Sequence, residues 1–227
     1  MNTAIQLVIF DMDGTLYDRC PAIDLAYPIA AAEIIARLTG QSIEAAQREL
    51  ALKKDELSRQ MDGAQTNTLT LLHYYGDHFR EYEERVNYLV DVEKALTPDP
   101  RLISTLKTIE AHYPIFLYTT NNGLVADRVL RRLEVDGFFP EEKRFSLRSI
   151  ARLDLPHSEK LAYVKPGAKG FRLIFEKFGF RAAQTLMVGD SEVSDIRPAQ
   201  HLGMHTYHVT DRESFYALPA WLKITTT

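Results

Sequence analysis

The spacing of apolar and polar residues changes along this chain, and the changes divide it into parts. Residues 5–10 are a short run of mostly branched apolar side chains, too short for a helix, which predicts a buried strand closing at Asp11. After Asp18 the pattern becomes helical for about eighty residues. Ile23, Ala26, Tyr27, Ala30, Ile34, Ile35 and Leu38 form one stripe that Thr39 and Gly40 end, with Pro28 marking a start or a kink. Ser42 is placed to cap a second helix reaching about Gln60. Residues 62–67 read as a loop, Leu69 to Tyr75 as a third helix, Gly76 as a break, and residues 79–90 as a fourth. Four helices with no strand among them predict one inserted, all-helical module, a cap on the rest of the chain.

Thr97, Pro98, Asp99 and Pro100 punctuate the return to mixed structure. From there the pattern gives a helix (101–112) with Leu102, Leu106 and Ile109 on one side, a strand (114–120), a helix (124–133) and a short segment (137–145). A helix (167–178), a strand (185–188), a helix (196–202) and a strand (205–209) follow. Short buried strands alternating with helices predict an α/β fold with a mainly parallel sheet covered on both faces. The expected division is a core of residues 1–18 and 98–227 with a cap of residues 19–97. The tail from Asp211, with the lone Trp221, reads as a packing segment.

Composition narrows the function classes. With 227 residues, 45% hydrophobic and 26% charged, the chain has enough apolar content for a sizeable core. A formal net charge of −4 and a pI near 6.0 give no global attraction to a nucleic acid polymer or an anionic membrane. Cys20 is the only cysteine, so an intrachain disulfide is excluded; it reads as a small, semi-buried hydrophobe in a protein of a reducing compartment. The first residues lack the basic start of a signal peptide, and no apolar stretch approaches the roughly 18 to 20 residues that span a bilayer. The expectation is a cytoplasmic protein with no membrane partner.

The chemistry gathers at the strand ends. Asp11 and Asp13 sit at i and i+2 on an extended segment, on the same side and roughly 6 to 7 Å apart, so one can attack a substrate atom while the other moves a proton. Gly14 then allows a turn that a side chain would resist. Thr120 and Asn121 close the second strand, Lys165 precedes a helix, and Asp190, Ser191 and Asp195 follow the third strand. In a parallel sheet these ends converge on one crevice. Asp11 and Asp190 offer hard oxygen ligands for Mg²⁺, Lys165 a fixed positive charge, and Thr120 a donor to a phosphoryl oxygen, a set suited to phosphoryl transfer with Asp13 as the acid.

This ordered set, Asp11-Met12-Asp13-Gly14-Thr15, then Thr120, Lys165, and Asp190 with Asp195, resembles the haloacid dehalogenase (HAD) superfamily. The resemblance implies a Rossmann-like core with a helical cap inserted after the first motif. It also implies an aspartyl-phosphate on Asp11 and acid–base work by Asp13. Mg²⁺ would be held by Asp11, Asp190 and the main-chain carbonyl of Asp13, with Asp195 in support. Thr15, Asn121 and Ser191 are expected to support these motifs. Within the superfamily, the first motif through Tyr17, the Tyr75–Gly76 pair and the segment 119–122 look most like the pyrimidine 5′-nucleotidase group.

The implied activity is therefore an Mg²⁺-dependent phosphatase acting on a small phosphorylated metabolite. A sugar-phosphate phosphatase or mutase of the same fold stands as an alternative, as does a catalytically silent phosphate-sensing or partner-binding module. A dehalogenase is disfavoured because that chemistry needs no second acid at Asp13. Tyr17 and Arg19, next to the catalytic turn, are the substrate-contact candidates, whereas Asn67, His73 and Tyr74 are assigned to packing or surface roles.

Overall fold

The first apolar run is buried because it pairs on both sides. In the computed structural model, which describes residues 4–60 and 66–224, β1 (Leu7–Phe10) lies between β2 (Ile115–Tyr118) and β4 (Thr185–Gly189), and every residue of these three strands is buried. β3 (Arg144–Phe145) and β5 (His205–His208) complete a five-stranded sheet of order β3-β2-β1-β4-β5 in which all pairs are parallel. Val8 pairs with Ile115 and Leu186, and Ile9 with Phe116 and Met187. One polarity throughout brings all the carboxyl ends to one rim.

The strands are shorter than their apolar runs. Ile5 and Gln6 fall outside the β1 ladder, although Gln6 N still donates to Gln184 O at 2.7 Å. Segment 137–145 enters the sheet only through its last two residues, with Arg144 opposite Leu117.

Between β1 and β2 the described residues form helices and no sheet strand. Ahead of the helix Pro100–Glu110, the four long ones are Ala26–Thr39, Ile43–Gln60, Asn67–Tyr75 and Phe79–Leu89, with single turns at Pro21–Asp24 before them and Val92–Ala95 after them. Pro28 sits in the first turn of its helix, where its missing N–H has no partner to lose, and Gly40 closes that helix at φ +73°. Ser42 Oγ accepts from Ala45 N at 3.2 Å and Thr66 Oγ1 from Leu69 N at 3.1 Å, each satisfying an end donor. Asp62 to Gln65 of the expected loop lie outside the described residues.

The helical block docks on the core through Phe79–Leu89, which lies against Gly123–Arg132. Glu83 Oε1 accepts from Leu124 N at 3.0 Å, and Arg128 Nη1 donates to Asn87 O at 2.9 Å. Leu102, Leu106 and Ile109 are buried on Pro100–Glu110, the side their spacing marks.

After β4 the chain makes one wide turn, with Ile196 N reaching Ser191 O five residues back at 3.2 Å, before the helix Arg197–His201. That turn carries Asp195 inward to 1% exposure. The tail folds back over the core. Phe215 and Leu218 are buried, while the half-exposed Trp221 meets Tyr207 edge-on at 5.2 Å. Arg212 Nη1 donates to the carbonyl of Thr15 at 2.6 Å, Glu213 pairs with Arg101, and Tyr216 hydrogen-bonds Asp99. Cys20 is free and partly buried. Among the described residues no helix is long and apolar enough to cross a membrane.

Candidate active site

The chain leaves β1 in register, with Asp11 N donating to Val188 O at 2.9 Å, and then turns sharply as Thr15 N and Leu16 N both bond Met12 O. Gly14 holds φ +86° in this turn, and a Cβ there would lie 2.2 Å from Asp190 Oδ2. Glycine is thus required twice, for the backbone angle and for the closeness of Asp190.

Asp11 and Asp13, two residues apart, occupy different environments. Lys165 is 2% exposed and donates from Nζ to Asp11 Oδ1 at 2.5 Å and to Asp195 Oδ1 at 2.6 Å. Burial alone would lower the lysine's pKa, but the adjacent Asp11 and Asp195 carboxylates raise it above its usual range, so it is held as a cation. Thr15 Oγ1 donates to Asp11 Oδ2 at 3.3 Å. Asp195 is pushed upward, chiefly by burial and also by Asp11, with Lys165 opposing. Its second oxygen accepts from Ser191 N at 3.2 Å.

Asp13 instead sits in a net of neutral donors. Tyr17 donates its hydroxyl to Oδ1, Asn121 Nδ2 bonds Oδ1 and Oδ2 at 2.9 and 3.1 Å, and Thr119 Oγ1 stands 3.5 Å from Oδ2. Burial, reinforced by the Asp11 charge, raises Asp13 to about 6, while the Tyr17 and Asn121 bonds restrain the rise. Tyr27, from the first long helix, donates to Asn121 Oδ1, so a side chain of the helical block touches the group that holds Asp13.

Asp11, Asp190 and Asp195 each offer an oxygen within 4.8 Å of the others. Asp190 Oδ2 accepts from Arg19 Nε at 3.1 Å, whereas its Oδ1 is buried with no hydrogen-bond partner among the described residues. Burial and Asp11 raise the Asp190 pKa, and Arg19 opposes them. A buried, unpartnered carboxylate oxygen beside a second carboxylate fits a hard divalent cation.

These groups open on a cavity of about 510 Å³ between the sheet rim and the helical block. Asp11, Asp13, Thr120, Asn121, Lys165, Asp190, Ser191 and Asp195 line it together, and Arg19 is at its edge. Thr15 is behind Asp11, and Tyr17 is buried with its hydroxyl spent on Asp13 rather than open to the cavity. The helical block adds Asp24, Tyr27, Thr66, Asn67 and Tyr82. Tyr27, Thr119 and Tyr82 were not distinguished by the sequence pattern, and Asn67, assigned there to the background, borders the cavity. His73 and Tyr74 pack edge-on against each other at 4.6 Å and do not line it.

With this geometry in view, the comparisons with known proteins are specific about family. Residues 5–203 match the model of the haloacid dehalogenase-like hydrolases. The chain is 26% identical over 220 residues to a phosphoglycolate phosphatase of Aliivibrio fischeri, covering 91% of this chain and 84% of that one. It is also 26% identical over 222 residues to a glyceraldehyde 3-phosphate phosphatase of Methanocaldococcus jannaschii, covering 90% and 85%. Among solved structures, a HAD phosphatase from Thermococcus onnurineus superposes with a TM-score of 0.55 at 19% identity, covering 98% of this chain and 100% of that one. A 2-haloacid dehalogenase from Pseudomonas syringae gives 0.57 at 20% identity, covering 96% and 98%. The family model spans most of the chain, including both aspartates of the first turn, Lys165 and the late acidic pair, and the protein belongs to the haloacid dehalogenase-like hydrolases.

Proposed function

We propose that this hydrolase is an Mg²⁺-dependent phosphatase of small phosphomonoesters that works through an aspartyl-phosphate on Asp11, with residues 19–97 serving as its cap. The observation that carries this reading is the separation of the two carboxylates by environment. Asp11 accepts a hydrogen bond from a buried ammonium, while Asp13 is raised to about 6 among neutral donors. That is the division of labour between a nucleophile and a general acid. The fold is shared with a 2-haloacid dehalogenase and does not choose between the chemistries; the second acid at Asp13 favours the phosphatase.

In the first step an Asp11 oxygen attacks phosphorus, the bond from phosphorus to the ester oxygen breaks, and Asp13 gives its proton to the leaving alkoxide. In the second, Asp13 takes a proton from water as the water oxygen attacks phosphorus, and the bond to Asp11 breaks to release phosphate and restore the carboxylate. Lys165 keeps Asp11 oriented and offsets the charge of the approaching phosphate. Thr120 is at the cavity wall, where its hydroxyl can donate to a phosphoryl oxygen. Asp11 and Asp190, with the Asp13 carbonyl, would hold Mg²⁺, while Asp195 steadies Lys165 and the Ser191 turn. When bound, that ion neutralises phosphoryl oxygens that would otherwise repel Asp11.

Phosphate release from a panel of monophosphates, with Mg²⁺ or with chelator, for wild type and Asp11→Asn, tests the reading. Release that needs the metal and is abolished by the substitution is expected. Release that persists in Asp11→Asn would remove Asp11 as nucleophile. The names of the two relatives favour small phosphorylated metabolites over nucleotides, and a nucleoside monophosphate in the same panel tests the pyrimidine 5′-nucleotidase alternative.

A further inference from the structure

The half of the cavity that faces the helical block is polar, yet it is poor in positive charge. Five carboxylates line the cavity, Asp11, Asp13, Asp24, Asp190 and Asp195, against two cations, Arg19 and Lys165. Lys165 is shared by Asp11 and Asp195, and Arg19 by Asp190, with Asp13 and Asp11 adding to its field. Residues 61–65, outside the described part, include neither lysine nor arginine. Lys54 makes no ion pair among the described residues but opens on a separate cavity of about 340 Å³ beyond Asn67. Even with a divalent cation bound, the positive charges only balance the four carboxylates left when Asp13 holds its proton, before a phosphate adds about two more negative ones.

The same wall carries hydrogen-bonding capacity that is not used. Asn67 Oδ1 and Tyr82 Oη are buried without a hydrogen-bond partner among the described residues. Asn67 and Thr68 lie close enough to act on the Tyr82 hydroxyl, but neither makes an aligned hydrogen bond with it. Thr66 and Asp24 stand beside them on the cavity wall. A buried amide oxygen and a phenol left unpaired cost stability unless a ligand supplies hydroxyl groups.

We propose that this wall is a subsite for a neutral, hydroxyl-bearing leaving group, a sugar, a polyol or the ribose of a nucleoside, and that it selects against a carboxylate or a second phosphate. This inference rests on the phosphatase reading above. It separates this chain from its phosphoglycolate phosphatase relative, whose named substrate carries a carboxylate on its leaving group.

The test is kcat/KM of the full chain with Mg²⁺ for glycerol 1-phosphate, ribose 5-phosphate, a nucleoside monophosphate, phosphoglycolate, fructose 1,6-bisphosphate and methyl phosphate. The hydroxylated neutral esters should exceed phosphoglycolate and the bisphosphate by at least about tenfold. The ribose phosphate and nucleotide arms tell a sugar from a nucleoside. Tyr82→Phe and Asn67→Ala should lower kcat/KM for the preferred ester by roughly three- to tenfold while leaving methyl phosphate, which has no hydroxyl, within about twofold. Asp24→Asn should narrow the preference over phosphoglycolate. Phosphoglycolate turned over as well as the neutral esters, with methyl phosphate hydrolysed, would overturn the subsite alone, as would variants that slow methyl phosphate equally. Hydrolysis of none of the six would overturn the phosphatase reading and the subsite with it.

Discussion

Replacing Lys165 by methionine removes the ammonium that Asp11 and Asp195 share while keeping most of the side-chain volume. The side chains involved are 2%, 9% and 1% exposed, so solvent screens the loss little. Removing one partner of a buried ion pair costs about 3–5 kcal/mol, and two stranded carboxylates put this case at the upper end. For a chain of this size, about 5 kcal/mol corresponds to a fall of roughly 10–20 °C in Tm. The sign with pH follows from linkage. Without the ammonium that opposes it, burial raises Asp195 further above the unfolded value near 3.9, so the folded state binds a proton that the unfolded state does not. Stability is then gained on acidification, and the deficit against wild type should be largest at about pH 8 and shrink towards about pH 5.

Thermal unfolding in chelator, followed by circular dichroism across that range, reads both quantities. The double variant Lys165→Met/Asp195→Asn should recover part of the loss, because one of the two stranded charges is gone. A deficit below about 1 kcal/mol, or one that is the same at every pH, would refute the argument.

Other perturbations test the remaining parts of the site. Tyr17→Phe removes a bond that stabilises ionised Asp13. As the acid, Asp13 must be protonated, so activity falls as pH rises through its pKa, and the alkaline limb of kcat/KM should move upward from about 6 by roughly one unit; an unmoved limb would exclude Asp13 as the acid it reports. Gly14→Ala places a Cβ against Asp190 Oδ2 at positive φ. The Mg²⁺ concentration for half-maximal activity should rise by at least about tenfold, with about 1–3 kcal/mol of stability lost, and an unchanged metal titration would contradict this. Arg212→Met deletes the bond to the Thr15 carbonyl and should cost about 1–2 kcal/mol together with several-fold in kcat, whereas an unchanged Tm would show that the tail packs there without holding the turn.

What could be read in the sequence followed the length over which a pattern repeats. β1, β2 and β4 are apolar runs with polar exits, and their parallel pairing brings Asp11, Lys165, Asp190 and Asp195 together as the strand ends suggested. Two-residue β3 and the single turns Pro21–Asp24 and Val92–Ala95 are too short to establish any period. Tyr27 belongs to the apolar stripe by position, and nothing in that spacing reports that its hydroxyl reaches Asn121. Thr119 and Thr120 are neighbours just past the end of β2, yet they do different things. Thr119 is buried on Asp13 and Thr120 lines the cavity, a difference that residue type does not report.

The central position of β1 also orders events in time. β1 is synthesised first, yet its hydrogen-bonding edges are filled by β2 and by β4, which lies more than 170 residues later in the chain. Asp11 meets Lys165 across 154 residues, and Thr15 meets Arg212 across 197. Contacts of such separation form slowly, whereas those among Ala26–Thr39, Ile43–Gln60 and Asn67–Tyr75 are near in sequence and form fast. Pulse-labelled hydrogen exchange during refolding should therefore protect those helices before β1 and β4; simultaneous protection would show that the two parts fold as one unit. On a growing chain, the helices that will roof the cavity are finished while Asp11 still waits for its lysine.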